Sequence, residues 1–102
     1  MRGGLNSVEL LEAGAGVTVD ADGMLHGLSV NSAAGESWAE LSQGLPNRQI
    51  GVSTVGEVRA AGGDVAPAPS RFNPDHCLLN GITAAAAHRL LTPTVPNPSR
   101  VR

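Results

Sequence analysis

Residues 50–69, IGVSTVGEVRAAGGDVAPAP, constrain the fold more than any other stretch of this chain. Ile50-Gly51-Val52 reads as a short strand. Thr54-x-x-Glu57 is a capping box, in which a Thr hydroxyl and a Glu carboxylate satisfy backbone donors at the start of a helix. That helix shows Val55 and Val58 on one face, and Gly62-Gly63 terminates it. Asp64-Val65-Ala66 resumes an extended path, which Pro67 and Pro69 end. Strand, helix and strand in succession place the chain among α/β or α+β domains.

The flanking segments have the same short grain. Ser7 caps a helix that carries Glu9 and Glu12 and stops at Gly14. VTVDADGMLHGLSVN alternates about Asp22-Gly23, a hairpin dipeptide, with Val17 and Val19 on one face of the first strand. Leu28 and Val30 share a face of the second. Ser37-x-x-Glu40 is another capping box, followed by Trp38 and Leu41 on one side of a helix ending at Gly44. HCLLNG is an apolar strand closing at Asn80-Gly81, and Thr83 caps an Ala-rich helix over residues 84–91, with Ile82 placed as a staple. Asp20 and Asp22 are explained by turn chemistry. The expectation is one α+β domain over residues 1–92, a small mixed sheet with three or four short helices, followed by a proline-rich extended arm over residues 93–102.

Composition narrows function. A chain of 102 residues fits one domain, and 41% hydrophobic residues is enough for a core. The only aromatics are Trp38 and Phe72, so Val, Leu, Ile and Ala must build that core. Such a core closes poorly alone, which predicts a homo-oligomer or a tight complex with a protein partner. The net charge of -2 argues against non-specific nucleic-acid binding. Residues 1–51 carry six acids and two Arg, whereas residues 52–102 carry three acids and five Arg, so an anion-binding surface is expected in the second half. No apolar run suffices to span a bilayer, and the first residues lack a signal peptide's apolar core, so a cytoplasmic location is expected.

Candidate site residues concentrate in NPDHCLLNGITAAAAHRLL. His76 opens a strand after a turn-forming run, where an imidazole serves as general acid or base, or bonds a loop carbonyl structurally. Asp75 orients it only if Asp75 belongs to the turn, because neighbours on a strand face opposite ways. Cys77 is expected in the core with Leu79, and His88 with Arg89 on a polar helix edge. Ser53 and Thr54 lie with backbone donors at a helix start after a strand, a generic anion-binding arrangement. Arg59 and Arg71 are the guanidinium candidates for steadying phosphate charge. Neither a nucleotide-loop motif nor a zinc-ligand spacing is present, so no cofactor and no metal are expected.

HGLSVNS, IGVSTVGEVRAAGGDVAPAPS and NPDHCLLNGIT together resemble small uncharacterised bacterial proteins, some linked to mobile elements or conflict systems. The shared features are an LSVN strand, the strand–helix–strand unit and an NPxH strand before a final helix, over residues 24–93. The resemblance implies one compact bacterial domain and strengthens His76 as a candidate. The function expected is a non-catalytic protein-binding or regulatory module. The alternative is a toxin-like domain cleaving RNA or transferring a nucleotide, with His76 as acid or base, Arg59 or Arg71 steadying phosphate charge, and Ser53 or Thr54 holding the anion.

Overall fold

The computed structural model describes residues 1–98, so residues 99–102 of the expected arm lie outside the described residues. In chain order the elements are β1 (Arg2–Gly3), α1 (Val8–Glu12), β2 (Thr18–Val19), β3 (Met24–His26), β4 (Leu28–Asn31), α2 (Trp38–Leu41) and β5 (Gln49–Gly51). They continue with α3 (Val55–Ala60), β6 (Asp64–Pro67), β7 (His76–Asn80), β8 (Ile82–Thr83), α4 (Ala84–Leu90) and β9 (Val95–Pro96). The class is α+β, with four short helices against three small sheets ordered β1-β5-β9, β2-β3-β8 and β4-β7-β6. Among the described residues every strand pairing is antiparallel.

The strand–helix–strand unit is present, yet β5 and β6 belong to different sheets and form no parallel crossover. β6 pairs instead with β7, its next neighbour in sequence, through the loop that Pro67 and Pro69 begin. Consecutive strands joined by a short connection commonly pair in this way.

Two glycines explain why the strands divide as they do. Leu25 faces Ile82 and Leu28 faces Leu79, so the ladder keeps one register from β3–β8 into β4–β7. It bends at Gly27 and Gly81, whose φ angles of 80° and 83° lie in the left-handed region open to glycine. The Asn80 side chain mends the gap by accepting from Gly27 N at 2.7 Å, and Gly81 N donates to Leu25 O at 2.8 Å. Asn80-Gly81 therefore closes β7 as expected, but as a kink after which β8 continues the ladder. Alternation holds along β7: Cys77 and Leu79 are buried, while His76, Leu78 and Asn80 are half-buried on the other face. Leu11, Leu25, Leu28, Leu79, Ile82 and Leu91 form the centre of the core.

The caps are found where the sequence puts them. Ser37 and Glu40 exchange both bonds of a capping box. Thr54 Oγ1 accepts from Glu57 N at 3.1 Å, but the Glu57 carboxylate takes its bond from Ser53 Oγ at 2.7 Å, so the box expected there is half made. Thr54→Ala should cost about 1 kcal/mol, read as a lower denaturation midpoint; an unchanged midpoint would mean that the Ser53–Glu57 bond holds the helix start alone. In the hairpin, Asp20 accepts from the backbone of Asp22 and Met24, and His26 lies 2.9 Å from its Oδ2. The His26 bond, with these backbone donors, holds the Asp20 carboxyl below the usual range.

The terminal segments are stitched into the body. Asn31 N donates to Met1 O at 2.8 Å, which lays the start of the chain beside β4. β9 pairs with β5, and Asn97, fully buried, donates from Nδ2 to Leu45 O and Asn47 O.

Candidate functional site

The β4-β7-β6 sheet turns its second face toward a polar cleft of about 320 Å³, lined by Arg2, Ser29, Asn31, Asn47, Asn73 and His76 among others. Its floor follows from strand pairing. Asn31 stands opposite His76, and directly opposed residues of an antiparallel pair project to one face. A relay of carboxamides holds the floor: Asp75 N donates to Asn73 Oδ1, Asn73 Nδ2 to Asn31 Oδ1 at 2.8 Å, and Asn31 Nδ2 to Leu41 O at 3.0 Å.

His76 is oriented by a loop carbonyl: its Nδ1 lies 2.8 Å from Ala68 O. A carbonyl only accepts, so Nδ1 carries the hydrogen. Ala68 follows β6, on the side of β7 away from β4. His76 lines the cleft, and its second ring nitrogen, Nε2, has no hydrogen-bond partner among the described residues. The group that orients the ring is Ala68 O and not Asp75, whose backbone N donates to Asn73 Oδ1. On the opposite wall, Arg2 Nη1 donates to Ser29 O at 2.8 Å. Arg2 forms no ion pair among the described residues, and partial burial lowers its pKa from the ordinary guanidinium value.

A second depression, of about 520 Å³, lies beyond Met1 and Asn31, which line both. Trp38, Leu41, Val52 and Val55 give it an apolar lining, and Glu36, Ser53 and Thr54 stand at its polar margin. Trp38 remains 43% exposed and Val52 36%. At this margin the Glu36 carboxyl is raised above the usual glutamate value, first by its hydrogen bond with Asp75, and also by partial desolvation and the neighbouring acidic charges.

The candidate residues named from sequence are thus distributed over several places. His76 lines the cleft, whereas Ser53 and Thr54 line the apolar groove. Arg59 is solvent-facing and paired with Asp64, Nε to Oδ1 at 3.2 Å. Arg71 stacks its guanidinium 5.3 Å from the centre of the exposed Phe72 ring. His88 is not on a solvated helix edge; its half-buried ring bonds Asn6 O at 2.9 Å and so ties α4 to the segment before α1. None of Arg59, Arg71 and His88 lines the His76 cleft. The guanidinium that does is Arg2, in the half of the chain where the charge count discouraged an anion surface. Arg2, Asn31 and Asn73 were not singled out from sequence, since only sheet pairing brings positions so far apart to one place. Among the described residues no group of three or more His, Cys, Asp or Glu is placed to hold a metal, and no helix is long and apolar enough to cross a membrane.

Comparison with protein-family models, curated proteins and solved structures finds no match to this chain. The functional reading therefore rests on the two depressions and their chemistry.

Proposed function

We propose that the chain is a small protein-binding module without catalysis, and that its Trp38 groove takes an apolar side chain from a partner segment that also carries a basic residue. The observation that carries this is the groove itself: a half-exposed Trp38 beside exposed Val52, with the Glu36 carboxyl at the margin, raised by its neighbour Asp75. An exposed indole in an apolar depression with a polar rim has the make-up of a binding hot spot. Two carboxyls that share one hydrogen bond repel when both are charged, and a cation brought by the partner relieves that repulsion. In this reading the chain is one of the small bacterial proteins it resembles, regulating its partner by occupying it.

Trp38 is the only tryptophan, so its emission reports directly on the groove. A peptide alternating Arg and Leu should shift that emission to the blue and saturate, and Val52→Asp should abolish the effect without unfolding a chain in which Val52 is exposed. Replacing Arg by Glu in the peptide should weaken binding at least tenfold, roughly the loss of one favourable charge pair together with new repulsion. Emission that neither peptide moves would overturn the proposal. A shift set by protein concentration alone would put a second copy of the chain in the groove instead of a separate partner.

The second reading, RNA cleavage or nucleotide transfer through His76, draws on one observation: Arg2 and His76 line the same cleft. It requires Nε2 to move a proton, where the binding module requires only a surface.

A further inference from the structure

We infer that the cleft between Arg2 and His76 is an oxyanion site that takes a phosphate-type group. The inference is independent of the Trp38 groove and would stand if that groove bound nothing. Four features converge on it.

The first is charge. Arg2 is a cation, and none of the residues lining the cleft among those described is a carboxylate. Asp75, the residue before His76, is not among the lining residues.

The second is the state of Arg2. One of its N–H groups donates to Ser29 O, and it has no acidic partner among the described residues. A partly desolvated guanidinium without a counter-charge is unfavourable, and a bound anion would offset that cost. Guanidinium is the side chain whose planar fork matches phosphate oxygens.

The third is the tautomer of His76. The Ala68 carbonyl takes the Nδ1 hydrogen, so Nε2 donates to an oxyanion in the protonated ring and accepts from a P–O–H group in the neutral one. The fourth is preorganisation. The Asn73–Asn31 relay fixes carboxamides on the cleft floor before any ligand arrives, so little ordering is required on binding. Arg2, His76 and Asn73 all line the cleft. The volume of about 320 Å³ admits a phosphate with a small organic substituent.

The test is a titration of the full chain with inorganic phosphate at constant ionic strength, followed by NMR of the histidine rings and the Asn side-chain amides. The His76 ring and the Asn73 amide should shift and saturate. His26, exposed on the hairpin, and His88, bonded to Asn6, are internal controls that should move little. Arg2→Met should weaken phosphate at least tenfold. Because Arg2 also bonds Ser29 O, His76→Gln serves as a second variant, read at the Asn73 amide, and should weaken binding as well. Methyl phosphate in place of inorganic phosphate distinguishes an ester ligand from the free ion: tighter binding of methyl phosphate favours the ester, and tighter binding of the ion favours free phosphate. Shifts that do not saturate, equal movement of all three histidines, unchanged affinity in folded Arg2→Met, or acetate binding as tightly as phosphate would each overturn the assignment.

Discussion

Gly51→Ala is expected to cost about 3 kcal/mol or to prevent folding outright. Gly51 is buried at the end of β5, opposite Arg2 in the β1 pairing. A methyl group there would stand 2.5 Å from Leu91 O, 2.6 Å from Asn6 Nδ2 and 2.8 Å from Leu91 Cβ. None of these neighbours yields cheaply. Leu91 is in the core, and its carbonyl is backbone. Asn6 is itself buried, holds a left-handed φ of 56°, and donates from Nδ2 to Arg2 O and Gly4 O. Its carbonyl in turn accepts from His88. Moving it would disturb β1, the N-terminal segment and α4 together. Chemical denaturation followed by circular dichroism measures the effect. Gly16→Ala is the contrast: that position has a left-handed φ of 78° but no heavy atom within 4 Å of the added carbon, so only backbone strain of about 1 kcal/mol is expected. A Gly51→Ala midpoint as high as that of Gly16→Ala would show that the packing around β5 is looser than described.

Truncation after Pro93 is expected to cost a similar amount, about 3 kcal/mol or more, out of a total that for small domains is commonly 5–15. The loss has three sources. β9 covers one edge of β5, with Val95 opposite the fully buried Ile50. Asn97 N donates to Arg48 O at 2.8 Å, and its side chain satisfies Leu45 O and Asn47 O. Thr94 Oγ1 donates to Gln49 at 3.0 Å. Without them, Ile50 is exposed along one side and the 45–48 turn loses the group that organises it. Asn97→Ala isolates the side-chain share and should lose about 1–3 kcal/mol. A truncated chain that melts with the full one would show that β9 adds nothing to the fold, and would return residues 93–98 to the role of a free arm.

Much of the local structure was determined by the sequence itself, because it depends on neighbours within a few residues. Ser7, Ser37, Thr54 and Thr83 each cap the helix expected of them, since a side-chain oxygen reaches a donor only two or three positions ahead. The inward turn of Cys77 and Leu79, and the outward turn of His76 and Leu78, follow from the two-residue period of a strand.

What the tertiary structure alone decided is partnership at long range. Asn80-Gly81 has the composition of a reversing turn, but the continuing ladder with β3 holds the chain on course. The 93–98 segment reads as an extended arm until β5 is there to receive it. His76 is recognisable by residue type, yet the carbonyl that sets its tautomer belongs to Ala68, and the amide before it is tied to Asn31 across the sheet. Arg2 carried no local signal at all. It shares a cleft with His76 because Met1 bonds Asn31 and because β4 pairs with β7, contacts whose partners lie tens of residues apart. Periodicity and capping rules act over one turn of helix or one pleat of strand, so a site assembled from residues 2, 31, 73 and 76 is written in the packing and not in any one stretch of the chain.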